Sequence, residues 1–215
     1  MVDRPEINET GPIQVYAEEE NITFEEFLVK YAGVHAEWIG GKVEVIVTNN
    51  SRHSFVLTLL TLILGNYLSF KRIAMLLLAG VPMRIGGQAR GREPDLLIVL
   101  DDHKDRILPT YLNGPADIAV EVVSPESVDR DYSIKLAEYE QAGVPEYWIF
   151  DPAREIADVY RLHEDGHYRR LNKDAEGRLV STLLPGFALD PAILWRDELP
   201  EGAALVEMVQ AMVKS

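Results

Sequence analysis

Apolar positions along the chain change period several times, and each change marks an element. Phe27, Leu28 and Tyr31 fall at helical spacing. Thr23 followed by Glu26 is the reciprocal capping pair that opens such a helix, and Gly33 closes it. Residues 34–39 and 42–47 read as two strands of a hairpin around Gly40-Gly41. Asn50 or Ser51 then offers a cap for a helix with Phe55, Leu59, Leu62 and Ile63 on one side. Past Gly65 the pattern turns β-rich, with strands expected over 72–78 and, after Gly80, over 81–85.

Two nearly continuous runs of branched apolar residues, 95–100 and 117–123, have the character of strands buried on both faces. The acidic stretch between them, from Asp101 to Asp105, reads as a loop. A helix is expected over 129–142, stopped by Gly143, and a strand over 146–150, closed by Asp151-Pro152. Short strands punctuated by Asp165-Gly166, Glu176-Gly177 and Pro185-Gly186 suggest a peripheral antiparallel sheet, and residues 201–213 a last amphipathic helix. No repeat or linker divides the chain. The pattern describes one α/β domain over 21–215 behind a flexible acidic tail, 1–20.

Composition narrows the class of protein. With 47% hydrophobic and 26% charged residues the chain is of ordinary globular type. Its richest apolar window, 55–64, is too short for the roughly 20 residues of a membrane span. The N-terminus lacks the apolar core of a signal peptide. The absence of cysteine removes disulfides and thiolate zinc sites and agrees with a cytoplasmic location. A net charge of −14 argues against a phosphate-rich partner. Yet no acid occurs between Glu44 and Glu93, where Arg52, Lys71, Arg72, Arg84, Arg90 and Arg92 lie. Six positive charges within a net −14 leave −20 elsewhere, so this segment reads either as a local basic face or as buried structure poor in acids.

Two acids in the strongest strands stand out. Asp95 opens one run directly after Pro94, and Glu121 lies inside Ile118-Ala119-Val120-Glu121-Val122-Val123. A carboxylate in such surroundings is costly unless it is paired, hydrogen-bonded or bound to metal. Each is therefore either a structural ion-pair partner or a functional acid. Asp131, Lys135 and Tyr139 recur every four residues along one helix face. Leu136 and Tyr139 turn that face toward the core; the bland alternative is a solvated Asp–Lys pair worth about 0.3–0.5 kcal/mol.

Taken together, Glu37 with Gly41, His53, Arg92-Glu93-Pro94-Asp95, Glu121-Val122-Val123-Ser124-Pro125, Asp131, Lys135, Tyr139 and Gly143-Val144-Pro145-Glu146-Tyr147-Trp148 resemble the Uma-two family. These are bacterial restriction-endonuclease-like proteins of the PD-(D/E)xK nuclease superfamily. The resemblance spans about residues 22–195 and is most specific from Glu121 to Pro152. It implies a mixed central sheet flanked by helices, here with a C-terminal antiparallel β extension. It further implies a Mg²⁺-dependent endonuclease acting on DNA, with Mn²⁺ as a substitute. Asp95, Glu121 and the Val122 carbonyl would be the metal ligands and Lys135 the catalytic cation. Glu37 would be a further metal acid or a support for the ligands, and His53 and Arg92 would position the phosphate. A homodimer is expected, since two symmetric sites can cut both strands. The alternative is a silent nucleic-acid-binding or regulatory module on the same fold.

One departure from the superfamily matters. The lysine two residues after the glutamate is replaced by Val123, and Lys135 on the following helix is the natural substitute. Other constellations are weaker. His163 and His167 flank an Asp-Gly turn and do not read as a zinc site. Ser124 before Pro125 reads as a turn residue, and Tyr147 and Trp148 as core.

Overall fold

The computed structural model describes residues 16–17, 20–46, 50–86 and 90–214. The tail expected over 1–20 lies outside these residues, apart from Glu20 and a two-residue strand, β1 (Tyr16–Ala17), which pairs with the hairpin.

Thr23 and Glu26 form the expected capping box on α1 (Phe24–Lys30). β2 (Ala36–Ile39) and β3 (Lys42–Val45) make the hairpin, with Gly40 and Gly41 both at positive φ. Asn50 caps α2 (Ser51–Lys71) by accepting from Arg52 N and His53 N. This helix runs six residues beyond Gly65, where the sequence pattern stops it. A single glycine costs only about 1 kcal/mol against alanine, and burial of Ile63, Leu64, Tyr67 and Leu68 on either side outweighs that. Arg72, at φ 52°, is its left-handed cap, so the next strand, β4 (Ala74–Leu78), begins later than expected. At 21 residues, α2 is long and apolar enough to cross a membrane, against the expectation from the shorter window. Its packing makes it a core helix: Val56, Leu59, Leu60, Ile63 and Tyr67 are wholly buried.

β5 (Met83–Ile85) and β6 (Arg90–Arg92) follow, then β7 (Leu96–Leu100) and a 3₁₀ turn over Asp101–Arg106 where a loop was expected. β8 (Leu112–Asn113) and β9 (Ile118–Val122) lead into a π-helical turn, Arg130–Lys135, continuous with α3 (Leu136–Ala142). Gly143, at φ 79°, ends the helix in the left-handed region. The chain closes with β10 (Glu146–Asp151), β11 (Ile156–Leu162), β12 (Tyr168–Arg170), β13 (Leu179–Val180), β14 (Ala188–Leu189) and α4 (Gly202–Lys214).

The central sheet has the order β12-β11-β10-β9-β7-β4. It is mixed: β9 and β10 are parallel, joined across α3, and the other pairs are antiparallel. The C-terminal extension is thus split. β11 and β12 lengthen the central sheet, and only β13 and β14 form a separate ribbon. A second sheet, β1-β3-β2-β6-β5-β8, carries the hairpin.

Strand alternation sorts the core into two layers. Leu96, Ile98, Ile118, Val120, Val122, Trp148 and Phe150 pack with α2 and α4. Leu97, Val99, Ala119, Val123, Tyr147 and Ile149 pack with Tyr139 of α3 and Met83 and Ile85 of β5. Glu121 shares the alternation of Ala119 and Val123, so it points into the layer of α3 and the π turn.

Candidate active site

Glu121 on β9 is buried, and its Oε1 accepts from Lys135 Nζ at 2.8 Å and Tyr139 OH at 2.9 Å. Lys135 ends the π turn and is also buried. Besides Glu121, its Nζ meets Glu37 Oε1 at 3.1 Å and Asp131 Oδ1 at 3.7 Å. The solvated Asp–Lys pair is therefore excluded; this ammonium sits among three carboxylates inside the protein. Asp95, just before β7, accepts from Val122 N at 2.7 Å and lies 3.4 Å from His53 Nε2 in the first turn of α2. Asp95, Glu121, Val122, Lys135 and His53 line one cavity of about 20 Å³, room for about one water molecule.

Glu37 and Arg92 serve the site from behind. Neither lines the cavity. Arg92 hydrogen-bonds Glu37 with one arm of its guanidinium and Glu138 with Nε at 2.6 Å and Nη2 at 3.0 Å. The phosphate-positioning part expected of Arg92 does not match this placement, because its donors face inward to carboxylates. It fixes Glu37, and Glu37 in turn fixes Lys135.

The electrostatics are those of an over-acidic cluster. Burial pushes Glu121 up to about 8; Lys135 opposes this, and the carboxylates of Asp131, Asp95 and Glu37 add to it. Burial would raise Glu37 as well, but Lys135, Arg92 and Arg130 outweigh it and hold the carboxyl at about 2. The carboxylates of Glu121, Glu37 and Asp131 overcome the desolvation of Lys135 and keep its ammonium well above the usual lysine range. Burial also works against charge on Asp95 and on His53, but each partner's hydrogen bond and charge prevail, lowering Asp95 and raising His53.

Such a cluster has the chemistry to hold a divalent cation. Two carboxylates and a backbone carbonyl are hard oxygen donors, and Mg²⁺ is typically bound by one or two carboxylates with retained waters. Among the described residues no group of three or more His, Cys, Asp or Glu side chains is placed to hold a metal ion. A cation here would also offset the crowding around Glu121.

Four of the six cations in the basic segment are engaged within the protein. Arg90 and Arg92 sit on Glu138, Arg84 lies 3.5 Å from Glu25 and over the Phe24 ring, and Arg52 donates to Arg196 O at 2.7 Å. Acids remote in sequence have come to meet Arg84, Arg90 and Arg92. Two expected turns are present: His163 and His167 flank the β11–β12 turn, and Ser124 O accepts from Ser127 N.

Four polar cavity residues receive no role from sequence reasoning: His35, Glu93, Ser127 and Arg130. Glu93 is buried, accepts from Ala36 N at 3.2 Å, and is raised by burial. Its one sequence signal was its place beside Pro94-Asp95.

A mixed sheet flanked by helices, with buried carboxylates and a lysine at the end of its central strands, defines a restriction-endonuclease-like domain. Residues 23–192 match the family model Uma2, described as "Putative restriction endonuclease", and the chain belongs to that family. A similar fold is the crystal structure from Anabaena variabilis ATCC 29413 described as "a putative nuclease belonging to DUF820". It has a TM-score of 0.65 and 19% identity, covering 81% of this chain and 97% of that one. None of the curated proteins compared matches the chain.

Proposed function

We propose that the protein is a Mg²⁺-dependent endonuclease that hydrolyses phosphodiester bonds of DNA, with Mn²⁺ able to substitute. The supporting observation is the convergence of Asp95, Glu121 and Lys135, from three separate elements, on one ion-sized cavity. Asp95, Glu121 and the Val122 carbonyl would hold the metal. Bound Mg²⁺ supplies Lewis acidity, which makes water more acidic and offsets charge on the phosphate.

The chain's own residues do the positioning. Lys135 donates from Nζ toward the attacking water or a non-bridging phosphate oxygen, as a fixed charge where negative charge accumulates. Glu37 and Asp131 hold that ammonium in place, and Tyr139 orients Glu121. His53 steadies Asp95 and lies at the cavity, where it can also meet the phosphate. Two symmetric copies would place one such site on each strand of a duplex.

Supercoiled plasmid should be nicked or linearised with Mg²⁺ or Mn²⁺ and stay intact with EDTA or with Asp95→Ala. Wild-type protein inert in both metals toward duplex, single-stranded DNA and RNA would sink the proposal. That result would favour the silent module, a reading supported by the protein partners that Glu121 Oε1 and Asp95 Oδ2 already have.

A further inference from the structure

Arg130 has no part in the mechanism above, yet it lines the same cavity. Its Nε is buried without a hydrogen-bond partner. Asp131 Oδ1 lies 3.9 Å from that Nε, beyond hydrogen-bond reach, and itself has no hydrogen bond. A buried donor left unmade costs about 1–3 kcal/mol, and such a group calls for a water or a bound ligand to accept from it. The side chain keeps 19% of its surface exposed, so it borders the cavity mouth. It differs in this from Arg90 and Arg92, whose guanidiniums rest on Glu138.

The π turn explains how Arg130 comes to be there. Residues Arg130–Lys135 have the wider winding of a π-helix, a form frequently found at functional sites. At roughly 80° per residue instead of about 100°, positions 130 and 135 lie within about 50° of each other around the axis; in an α-helix they would be about 140° apart. Asp131 stays near Lys135 in either winding. The π turn thus changes one thing at the cavity: it brings a second cation to the side that already carries Lys135.

We propose that Arg130 is the phosphate-recognition residue of this site, its guanidinium taking non-bridging oxygens of a phosphate seated at the mouth beside Lys135. In the nuclease this is the scissile diester, and in naming that substrate the inference rests on the nuclease reading. The fork of N–H donors suits two phosphate oxygens at once, which a lysine ammonium does not reproduce. Arg130 therefore takes the part that Arg92, turned inward, leaves open.

Inorganic phosphate is the probe that separates the two ideas. With Mg²⁺ present, phosphate should raise the melting temperature of the wild type. Arg130→Gln should bind it about tenfold more weakly, with Arg130→Lys in between. Circular dichroism and the phosphate-free melting temperature should show both variants folded. With Ca²⁺ in place of Mg²⁺, Arg130→Gln should also lower the salt slope of oligonucleotide binding by about one. A wild type that does not respond to phosphate, or an Arg130→Gln that responds equally, overturns the inference. If phosphate binding depends on Arg130 but plasmid is never cut, the nuclease reading fails and the anion site stands.

Discussion

Asp95 and Glu121 were equivalent in the sequence, two acids in two apolar strands, but their surroundings separate them. Asp95 Oδ2 caps the buried Val122 N–H, so Asp95→Ala should destabilise the metal-free protein by about 1–3 kcal/mol, the cost of an orphaned buried donor. Glu121 is the crowded member, with Asp131, Asp95 and Glu37 all disfavouring its charge. Glu121→Gln keeps an acceptor for Lys135 and Tyr139 while removing that repulsion. Metal-free, it should melt no lower than wild type. It should also lose most of the stabilisation that wild type gains from Mg²⁺ or Mn²⁺. Thermal melts with EDTA and with each metal decide both points; equal metal stabilisation in the two proteins would remove Glu121 from the proposed site.

At the level of elements, the π turn and α3 deliver the cation that β9 lacks at Val123. Replacing Lys135 by Met leaves Glu37, Glu121 and Asp131 without their shared partner, so a loss of about 3–5 kcal/mol is expected along with the loss of cleavage. Adding Glu37→Gln should recover part of that stability without activity. Adding Val123→Lys should recover a little activity as well, because positions 121 and 123 face the same layer. Misplacement by about 1 Å can cost 100-fold in rate, so the rescue is partial. Cleavage by the Lys135→Met single variant would sink the role given to Lys135. The N-terminus of α2 makes a smaller contribution. Asn50→Ala should cost about 1 kcal/mol in a denaturant melt, since it removes the acceptor for Arg52 N and His53 N.

Across the whole molecule, charge tells a different story from the one suggested by its order along the chain. The acid-free stretch from 45 to 92 reads along the chain as either a basic face or buried structure, and its Arg84, Arg90 and Arg92 are met by Glu25, Glu37 and Glu138. A cation already paired within the protein contributes little to counterion release. Arg84→Gln and Arg90→Gln should therefore leave the salt slope of DNA binding nearly unchanged, in contrast to Arg130→Gln. A titration of binding against salt compares all three, and a slope reduced by about one for Arg84 or Arg90 would restore the face to that segment.

Much of this architecture was legible because it is local. The capping box of α1, the diglycine hairpin, the buried runs of β7 and β9 and the glycine stop after α3 all depend on residues within a few positions of one another. The acids Asp95 and Glu121 stood out for the same reason, as charges in apolar runs, and the helix face placed Lys135 near the sheet, while its part as the displaced lysine came from the family resemblance. The end of α2 was not legible, because long-range burial on both sides of Gly65 outweighs its local cost. Nor was the split of the last strands, since pairing β11 to β10 or β13 to β14 is decided by which edges are free. The inward turn of Arg92, the capture of Arg84 and Arg90 and the arrival of Arg130 at the cavity belong to tertiary structure alone. Electrostatic partners are chosen by distance in space, and the chain order that encodes a helix or a strand does not encode that distance.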